Sequence, residues 1–575
     1  MKLILKYLKN YKLFIMLNVI SVFGFALVEL GIPTIMAKII DVGIANSDIA
    51  YIKEKGLILV GISIIGVMGT ILVGYCSSKI STSITRDMRN DIFRKSQEFS
   101  HSEYDRFGVS SMITRTTNDA FQLLLFTNTL LRIALITPVM FTVSLVMILK
   151  TSLPLSVVLA VTIPFIIIGV VIIAKKSHPM SQTQQKRLDK LNRISRENLT
   201  GIRVIRAFGN DDYERKRFGK TNEDYTDISK KLHKLMAVSQ PTFFLLLNIA
   251  ILAILWISSK MINVGTLQVG QLVAFIEYLF HAMFSMMLFS MVFVMYPKAQ
   301  VSADRIQELL ESDPLIKSPE NGVKDIEAKG LVEFNNVTFA YPGGEEPVLK
   351  NISFTAKKGE TISFIGSTGS GKSTLINLIP RFYDVTEGSI KIDGVDVRDY
   401  DLNSLREKIG FIPQKTLLFT GTIGSNIRFG KKDADKEELE HSAKVSQAYD
   451  FITHKPKRFD ESISEGGSNV SGGQKQRLSI ARAVVRKPEI YIFDDSFSAL
   501  DFKTDATLRA KLKEETGDAV VLIVAQRIGS IMDSDKIIVL NEGEIVGIGT
   551  HRELLKNCEI YSEIASSQLT KEELA

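Results

Sequence analysis

The chain has 575 residues, 45% hydrophobic and 23% charged; that apolar content excludes a disordered polymer, and only two cysteines exclude a disulfide scaffold. Its mean hydropathy of +0.14 averages two unlike halves, with long apolar runs before about residue 297 and Gly-punctuated, acid-rich sequence after it. The net charge of +7 comes largely from basic residues between the apolar runs, the pattern of cytosolic loops facing anionic lipid rather than of a nucleic-acid binder.

In chain order, the opening MKLILKYLKNYK alternates lysines with apolar residues and predicts a short amphipathic segment on the inner membrane face. The apolar run behind it is too long for a signal-peptide core, and no small-residue cleavage site closes it. Six stretches then approach the roughly 20 residues that span a bilayer: 13–36, 56–76, 130–149, 153–174, 236–257 and 269–296. Segments after the first, third and fifth are short and carry few basic residues. Those after the second and fourth are long and rich in Lys and Arg, including Arg86, Arg89, Arg94, Lys95, Lys175, Lys176, Lys186, Arg187, Arg215 and Lys216. The positive-inside rule puts both long loops and both termini in the cytosol. Residues 77–100 and 175–235 read as polar helices; about 24 helical residues would reach roughly 36 Å beyond the membrane, bringing tips near 103–120 and 198–213 within range of a cytosolic domain. Cys76 lies in an apolar run and Cys558 near the C-terminus, without metal-ligand spacing, and both read as packing thiols in a reducing compartment.

From Leu331 the pattern changes. VEFNNVTFAY alternates as a strand, VLKNISFTA and TISFIG follow, and strand and helix signals interleave to the end. The expected fold is a membrane α-helical domain over 1–310, six transmembrane helices with long cytosolic extensions, joined through a linker over 311–330 to an α/β P-loop nucleotide-binding domain over 331–575.

Gly366, Ser367, Thr368, Gly369, Ser370, Gly371, Lys372 and Ser373 fit G-x-x-x-x-G-K-[ST], between the strand TISFI and an apolar helix that Thr374 enters. In such a loop backbone N–H groups wrap a phosphate, and the helix N-terminus adds partial positive charge. Lys372 is expected to reach the β- and γ-phosphates, and the Ser373 hydroxyl to ligate Mg²⁺. The apolar strand Ile490-Tyr491-Ile492-Phe493 ends in Asp494, placed to hold Mg²⁺ through water. ATP and Mg²⁺ are the cofactors these motifs imply.

Between the two motifs lies Val470-Ser471-Gly472-Gly473-Gln474-Lys475-Gln476-Arg477, ahead of SIARAVV. This stretch resembles the signature sequence of ATP-binding cassette (ABC) proteins, whose other motifs occur here in the family's order. The resemblance implies that Tyr341 stacks on adenine, and that Gln414, in FIPQ, senses Mg²⁺ and meets the membrane domain. It further implies that 498–501 (SALD, ending in Asp501) follows the Walker B strand, and that Ser471, Gly472, Gly473 and Gln474 contact nucleotide. In the membrane half, 106–119 (RFG…RTTND) and 197–209 (ENLTGIRVIRAFG) resemble the two coupling regions of the family's exporters. The resemblance covers essentially the whole chain.

Two positions depart from that family's pattern. Where it has a glutamate that polarises the attacking water, this chain has Asp495; where it has a histidine on the γ-phosphate, this chain has Gln526. Asp is one methylene shorter, setting its carboxylate back by about 1.5 Å, and a misplacement of that size costs on the order of 10²-fold in rate. Gln donates a hydrogen bond but brings no proton or positive charge to the transition state. A site built on Asp495, Gln526 and Gln414 is therefore expected to bind ATP and hydrolyse it slowly. Cassette dimers of this family sandwich each ATP between one chain's Walker motifs and the other's signature. An intact signature beside an altered Walker site implies one half of a heterodimeric bacterial exporter, of multidrug type, whose different partner carries the Glu and the His. Lipid or peptide export, or a non-pumping ATP-latched sensor or channel, are the alternatives; six fused spans disfavour a nucleic-acid-handling ATPase. The implied location is the bacterial cell membrane, with lipid and hydrophobic small molecules as partners.

The sixth span is rich in Met and Phe, adaptable walls for apolar ligands. Ionisable residues inside spans usually face a cavity. Glu29, Arg132, Glu277, His281 and Met287 are accordingly the candidate cargo residues. Glu277 and His281 lie one turn apart, a spacing that lets them satisfy each other.

Overall fold

The computed structural model describes residues 1–324, 330–498 and 500–569, the side chains at 170, 174, 178, 239 and 502 excepted. Parts of the expected linker 311–330 and of the 498–501 loop thus lie outside the described residues. The chain divides into two compact units: Met1–Gln97 with Val109–Ser312, and Glu98–Gly108 with Asp313–Ala575.

In the first unit six helices are long and apolar enough to cross a membrane, as the hydropathy pattern predicts. Three run without interruption far past their apolar windows: Ile49–Glu98, Leu153–Thr200 and Asp211–Asn263, of 50, 48 and 53 residues. At about 1.5 Å per residue, each is about two and a half times as long as a bilayer's hydrocarbon core is thick. The spans therefore continue as polar stalks with no change of secondary structure. Side chains such as Leu57, Met68, Val157 and Trp256 are exposed on the apolar segments, left uncovered by the rest of this chain as the membrane-facing side of a span is. Packing concentrates on the last helix, Val269–Glu311, which buries Phe275, Tyr278, Leu279, Ala282 and Met283 against Ala26, Leu30, Ile148, Leu155, Leu247 and Ile254. Its N-terminus is held by the Asp41 carboxylate, which accepts the N–H groups of Gly270 at 2.6 Å and Gln271 at 3.1 Å. A negative group is what the exposed N–H end of a helix favours.

With no water in a bilayer core, freed backbone groups need protein partners. Asn18, fully buried, supplies one: its Nδ2 donates to the Leu131 carbonyl at 2.8 Å, and its Oδ1 accepts from Ser77 at 3.2 Å. Leu131 belongs to the π-helical turn Leu130–Ala134, where the regular bonding ladder is interrupted. The N-terminal segment corrects an expectation. It does form a helix, Lys2–Leu8, but Leu3, Ile4 and Tyr7 are buried against protein, Tyr7 donating to Asp91 at 2.7 Å and the N-terminal ammonium to Gln300 at 3.0 Å. Tertiary packing took the apolar face that an amphipathic pattern alone assigns to lipid; Leu5 stays exposed.

The second unit carries a six-stranded sheet in the order Glu544–Gly549, Lys536–Asn541, Thr361–Gly366, Val520–Val524, Ile490–Asp494, Ile409–Ile412. Only the Glu544–Gly549 edge strand is antiparallel. Every residue of Ile490–Asp494 and Val520–Val524 is buried, the continuous apolar run expected of a parallel strand covered on both faces. A four-stranded antiparallel sheet, Leu349–Lys357, Leu331–Phe339, Glu387–Ile392 and Val395–Asp396, packs into the same core through Phe334, Phe354 and Phe364. A helical lobe, including Ile423–Arg428, Lys436–Val445 and Gly472–Val484, closes on its own core of Leu418, Ile423, Ile427, Leu439, Ile452 and Leu478. Residues 98–108 contribute the helix His101–Phe107, started by a capping box between Ser100 and Glu103.

Asn18→Ala leaves the Leu131 carbonyl and the Ser77 hydroxyl unpaired at the cost of about 1–3 kcal/mol. The thermal-unfolding midpoint of the detergent-purified protein is expected to fall, whereas Thr82→Ala, which removes only exposed bonds to the Ser78 and Lys79 carbonyls, leaves it unchanged.

Candidate functional site

Four parallel strands lie side by side in the order Thr361–Gly366, Val520–Val524, Ile490–Asp494, Ile409–Ile412. Their C-terminal ends share one edge, the place where open α/β sheets bind ligands. Each strand delivers one motif to that edge: the P-loop after Gly366, Gln526 two residues beyond Val524, Asp494 with Asp495, and Gln414 two residues beyond Ile412. Sequence separations of more than 100 residues are thereby reduced to hydrogen-bond distance.

The P-loop depends on two glycines. Gly366 has φ +154° and Gly371 φ +95°, and a Cβ on either would strike the Leu540 carbonyl or the Leu349 side chain. Lys372 folds back into this loop, donating to the carbonyls of Gly366 at 2.9 Å and Ser367 at 2.7 Å and to the Ser370 hydroxyl at 3.3 Å. Ser367, Thr368 and Gly369 stay exposed at the mouth. The Ser373 hydroxyl donates to Asp494 at 2.9 Å. Burial pushes the Lys372 ammonium below its ordinary pKa against the pull of Asp495 and Asp494, and burial likewise pushes both carboxylates up. A polyanion on Lys372 and a cation at the carboxylates would each relieve a charge that burial penalises.

The two departures from the family's pattern meet at one atom. Asp495 Oδ2 accepts the carboxamide N–H of Gln414 at 3.1 Å and of Gln526 at 2.9 Å. Asp495 is also in the left-handed backbone region, φ +46°, with its N–H bonded to the Val524 carbonyl at 2.9 Å, a conformation Asp tolerates better than most residues. The carboxylate therefore faces two neutral amide donors.

Tyr341 is half-buried, meets Tyr383 edge-on at 5.2 Å and shares a 2.9 Å hydrogen bond with Thr374, which places its ring beside the P-loop helix. Ser471 caps the helix Gly472–Val484: its hydroxyl accepts the Gln474 N–H at 3.3 Å, and the Gln474 side chain accepts the Ser471 N–H at 3.1 Å. Ser471 and Gly472 are exposed, Gly473 and Gln474 half-buried. Among the described residues none of these side chains bonds to the P-loop; their hydrogen bonds stay within the cap itself. Asp501 caps the helix Phe502–Glu515 through the Thr504 N–H at 3.0 Å.

The donor set fits Mg²⁺ with ATP. Ser373 and Asp494 already touch, the Gln414 amide oxygen accepts no hydrogen bond among the described residues, and one carboxylate plus a hydroxyl leaves most positions to phosphate and water, as this ion prefers. Among the described residues no group of three His, Cys, Asp or Glu could hold a metal without such help.

The cargo candidates are dispersed in the membrane unit. Arg132 and Glu277 are exposed, and Met287 packs half-buried beside the main cluster. His281 faces Glu29 on another helix, Nε2 to Oε2 at 3.9 Å, rather than Glu277 one turn away; helix rotation decides the partner, and spacing along one helix does not.

Sequence motifs miss a second aromatic group. Tyr383 donates to Asp105 at 3.3 Å, and His101 stacks on Phe382 at 4.4 Å, joining the 98–108 helix to the loop after the P-loop helix. Only the adjacent aromatics Phe382 and Tyr383 hinted at it. Burial and Asp105 push Tyr383 up to about 12.

Burial holds His101 below its ordinary value of 6.5, opposed by Asp105 and reinforced by Arg406. The stacked form is neutral, so its stabilisation is complete above 6.5 and lost as pH falls through the lower folded value. Hydrogen exchange corrected for intrinsic rate should show amides of 100–108 losing protection at about pH 5 relative to about pH 7.5, and His101→Phe should abolish that difference. Asp494→Asn is expected to weaken binding of a fluorescent ATP analogue about tenfold or more with Mg²⁺ and much less without it.

The family model described as ABC transporter transmembrane region matches residues 15–288, and that described as ABC transporter matches 349–498. An uncharacterized ABC transporter ATP-binding protein of Mycobacterium tuberculosis is 35% identical over 98% of this chain and 96% of its own length. The ABC transporter ATP-binding protein YfiB of Bacillus subtilis is 38% identical over 99% and 98%. An ATP-dependent lipid A-core flippase of Haemophilus influenzae is 30% identical over 98% and 96%. A bacterial Atm1-family ABC exporter solved with ATP bound shares the fold, with a TM-score of 0.80 and 23% identity over 98% of each chain.

Proposed function

This chain belongs to the ABC transporter family, an exporter-type membrane region and one ATPase domain in a single half-transporter, and on that premise we propose that it pairs with a second, different half-transporter to drive hydrophobic or amphipathic compounds, of multidrug type, out across a bacterial cell membrane. One observation carries the asymmetry: Gln526, standing where the family has a histidine, donates a neutral amide to the shortened carboxylate of Asp495, as Gln414 does beside it.

ATP binding uses the P-loop N–H groups, with Lys372 turning from its own loop carbonyls toward phosphate oxygen. Tyr341 presents a ring to the adenine. When bound, Mg²⁺ would supply charge neutralisation between the phosphates, held by Ser373, Asp494 and Gln414. Among the described residues Asp495, next to the Mg²⁺ carboxylate Asp494, is the carboxylate placed to take a proton from water. It is held back by one methylene and engaged by two donors on Oδ2, so proton removal is slow. Gln526 adds a dipole where the family places an ionisable ring. This site holds ATP and turns over slowly; the signature at Ser471 serves a competent site on the partner.

Two surfaces support the second chain. Ser471 and Gly472 of the signature are exposed, and among the described residues the signature side chains make no bond to their own P-loop. In the membrane unit the tip around the helix Ile202–Ala207 leaves Leu199, Val204, Phe208 and Tyr213 bare, each 60% exposed or more, on a polar stalk where lipid does not reach. A lipid cargo is the second reading, favoured by the relatives named lipid A-core flippases.

In the assembled transporter, replacing the partner's catalytic Glu by Gln should remove most ATPase activity; turnover near the unmutated level would contradict slow catalysis here. Ser471→Arg should cut hydrolysis by the complex by about tenfold or more while this chain still binds nucleotide, and Lys372→Ala should weaken ATP retention here while sparing part of the turnover. Equal inactivation by both, or robust ATPase from this chain purified alone, would establish a symmetric homodimer instead.

A further inference from the structure

Resting on the export reading above and narrowing its cargo, we propose that Glu29 is a cation-recognition residue and that the transported class is lipophilic monocations. Glu29 lies inside the membrane-spanning helix Lys12–Lys38, between the buried Val28 and Leu30, with its side chain 38% exposed. Its one charged neighbour among the described residues is His281, whose Nε2 stands 3.9 Å from the carboxylate, too far for a hydrogen bond. Among the described residues no hydrogen bond reaches that carboxylate at all, although the neighbouring polar pair, Thr34 and Tyr278, is joined at 2.6 Å.

A half-exposed carboxylate at this depth cannot face hydrocarbon, so this face of the two helices opens on a polar cavity in the assembled transporter. A carboxylate that accepts no hydrogen bond among the described residues suits a cation. Its surroundings suit an apolar one: Phe280 stacks on Phe284 at 5.5 Å and meets His281 edge-on at 5.9 Å, with Met287 half-buried farther along the helix. Aromatic faces attract cations, and thioethers adapt to bulky shapes. The same carboxylate repels phosphate headgroups, which sets this class apart from anionic lipid.

The test uses the full-length transporter with its partner in lipid nanodiscs, titrated with radiolabelled tetraphenylphosphonium and with the neutral dye Nile red. Wild type should bind both. Glu29→Gln should weaken tetraphenylphosphonium about tenfold or more and leave Nile red within about twofold. His281→Leu should keep or tighten tetraphenylphosphonium binding, because the imidazole no longer competes for the carboxylate. Equal weakening by both substitutions, as a purely structural pair would give, overturns the proposal, as does an unchanged Glu29→Gln. If Glu29→Gln does not assemble, Glu29→Asp and His281→Leu carry the comparison: retention of the cation in both supports the site, and its loss in His281→Leu overturns it. Wild type binding Nile red alone defeats the cation assignment only; binding neither probe defeats the hydrophobic-cargo reading itself.

Discussion

The chemistry of this chain hangs on the hydrogen-bonded alignment of four parallel strands. Thr361–Gly366, Val520–Val524, Ile490–Asp494 and Ile409–Ile412 must end on one edge for Lys372, Gln526, Asp494, Asp495 and Gln414 to share a space. Parallel alignment is possible because these strands are apolar along nearly their whole length and are covered on both faces. A charge inside Ile490–Asp494 would remove more than a packing contact. It would displace the carboxylates from the P-loop, since a slip of one residue turns every side chain to the other face.

In the membrane half a different solvent sets the rule. Exposed Leu57, Val157 and Trp256 would be defects in a soluble domain, yet here they are the lipid face. Charged and amide groups there are matched, as Asn18 is to the Leu131 carbonyl and Ser77, and Asp41 to the start of the helix Val269–Glu311, while the buried hydroxyls of Thr127, Thr137 and Ser144 go without a partner among the described residues. Against that background an under-partnered carboxylate such as Glu29 stands out physically, because a bilayer core offers it no water.

The environment of Asp495 shows how local chemistry and fold combine. A shorter acid alone moves a carboxylate; a glutamine alone removes a titrating group. Brought together, the two amides supply donors to the oxygen that should face water, and the left-handed backbone at Asp495 sets the direction of the side chain.

Much of this was legible in the sequence because the underlying signals are local. Six apolar runs, a Gly-rich loop between a strand and a helix, and a capped signature helix are each written in fewer than 30 consecutive residues. Hydropathy, backbone sterics and capping act at that range. The convergence of Gln414 and Gln526 on Asp495 was not legible, since it depends on strand order. Nor was the pairing of His281 with Glu29 in place of Glu277, which depends on how two helices are rotated against each other. The N-terminal segment shows the same limit: its amphipathic pattern demanded an apolar partner, and only tertiary packing decided that protein, through Asp91 and Gln300, would provide it. Sequence determined which groups need partners; the fold chose among partners that are chemically equivalent, because burial and direction are properties of the packed chain.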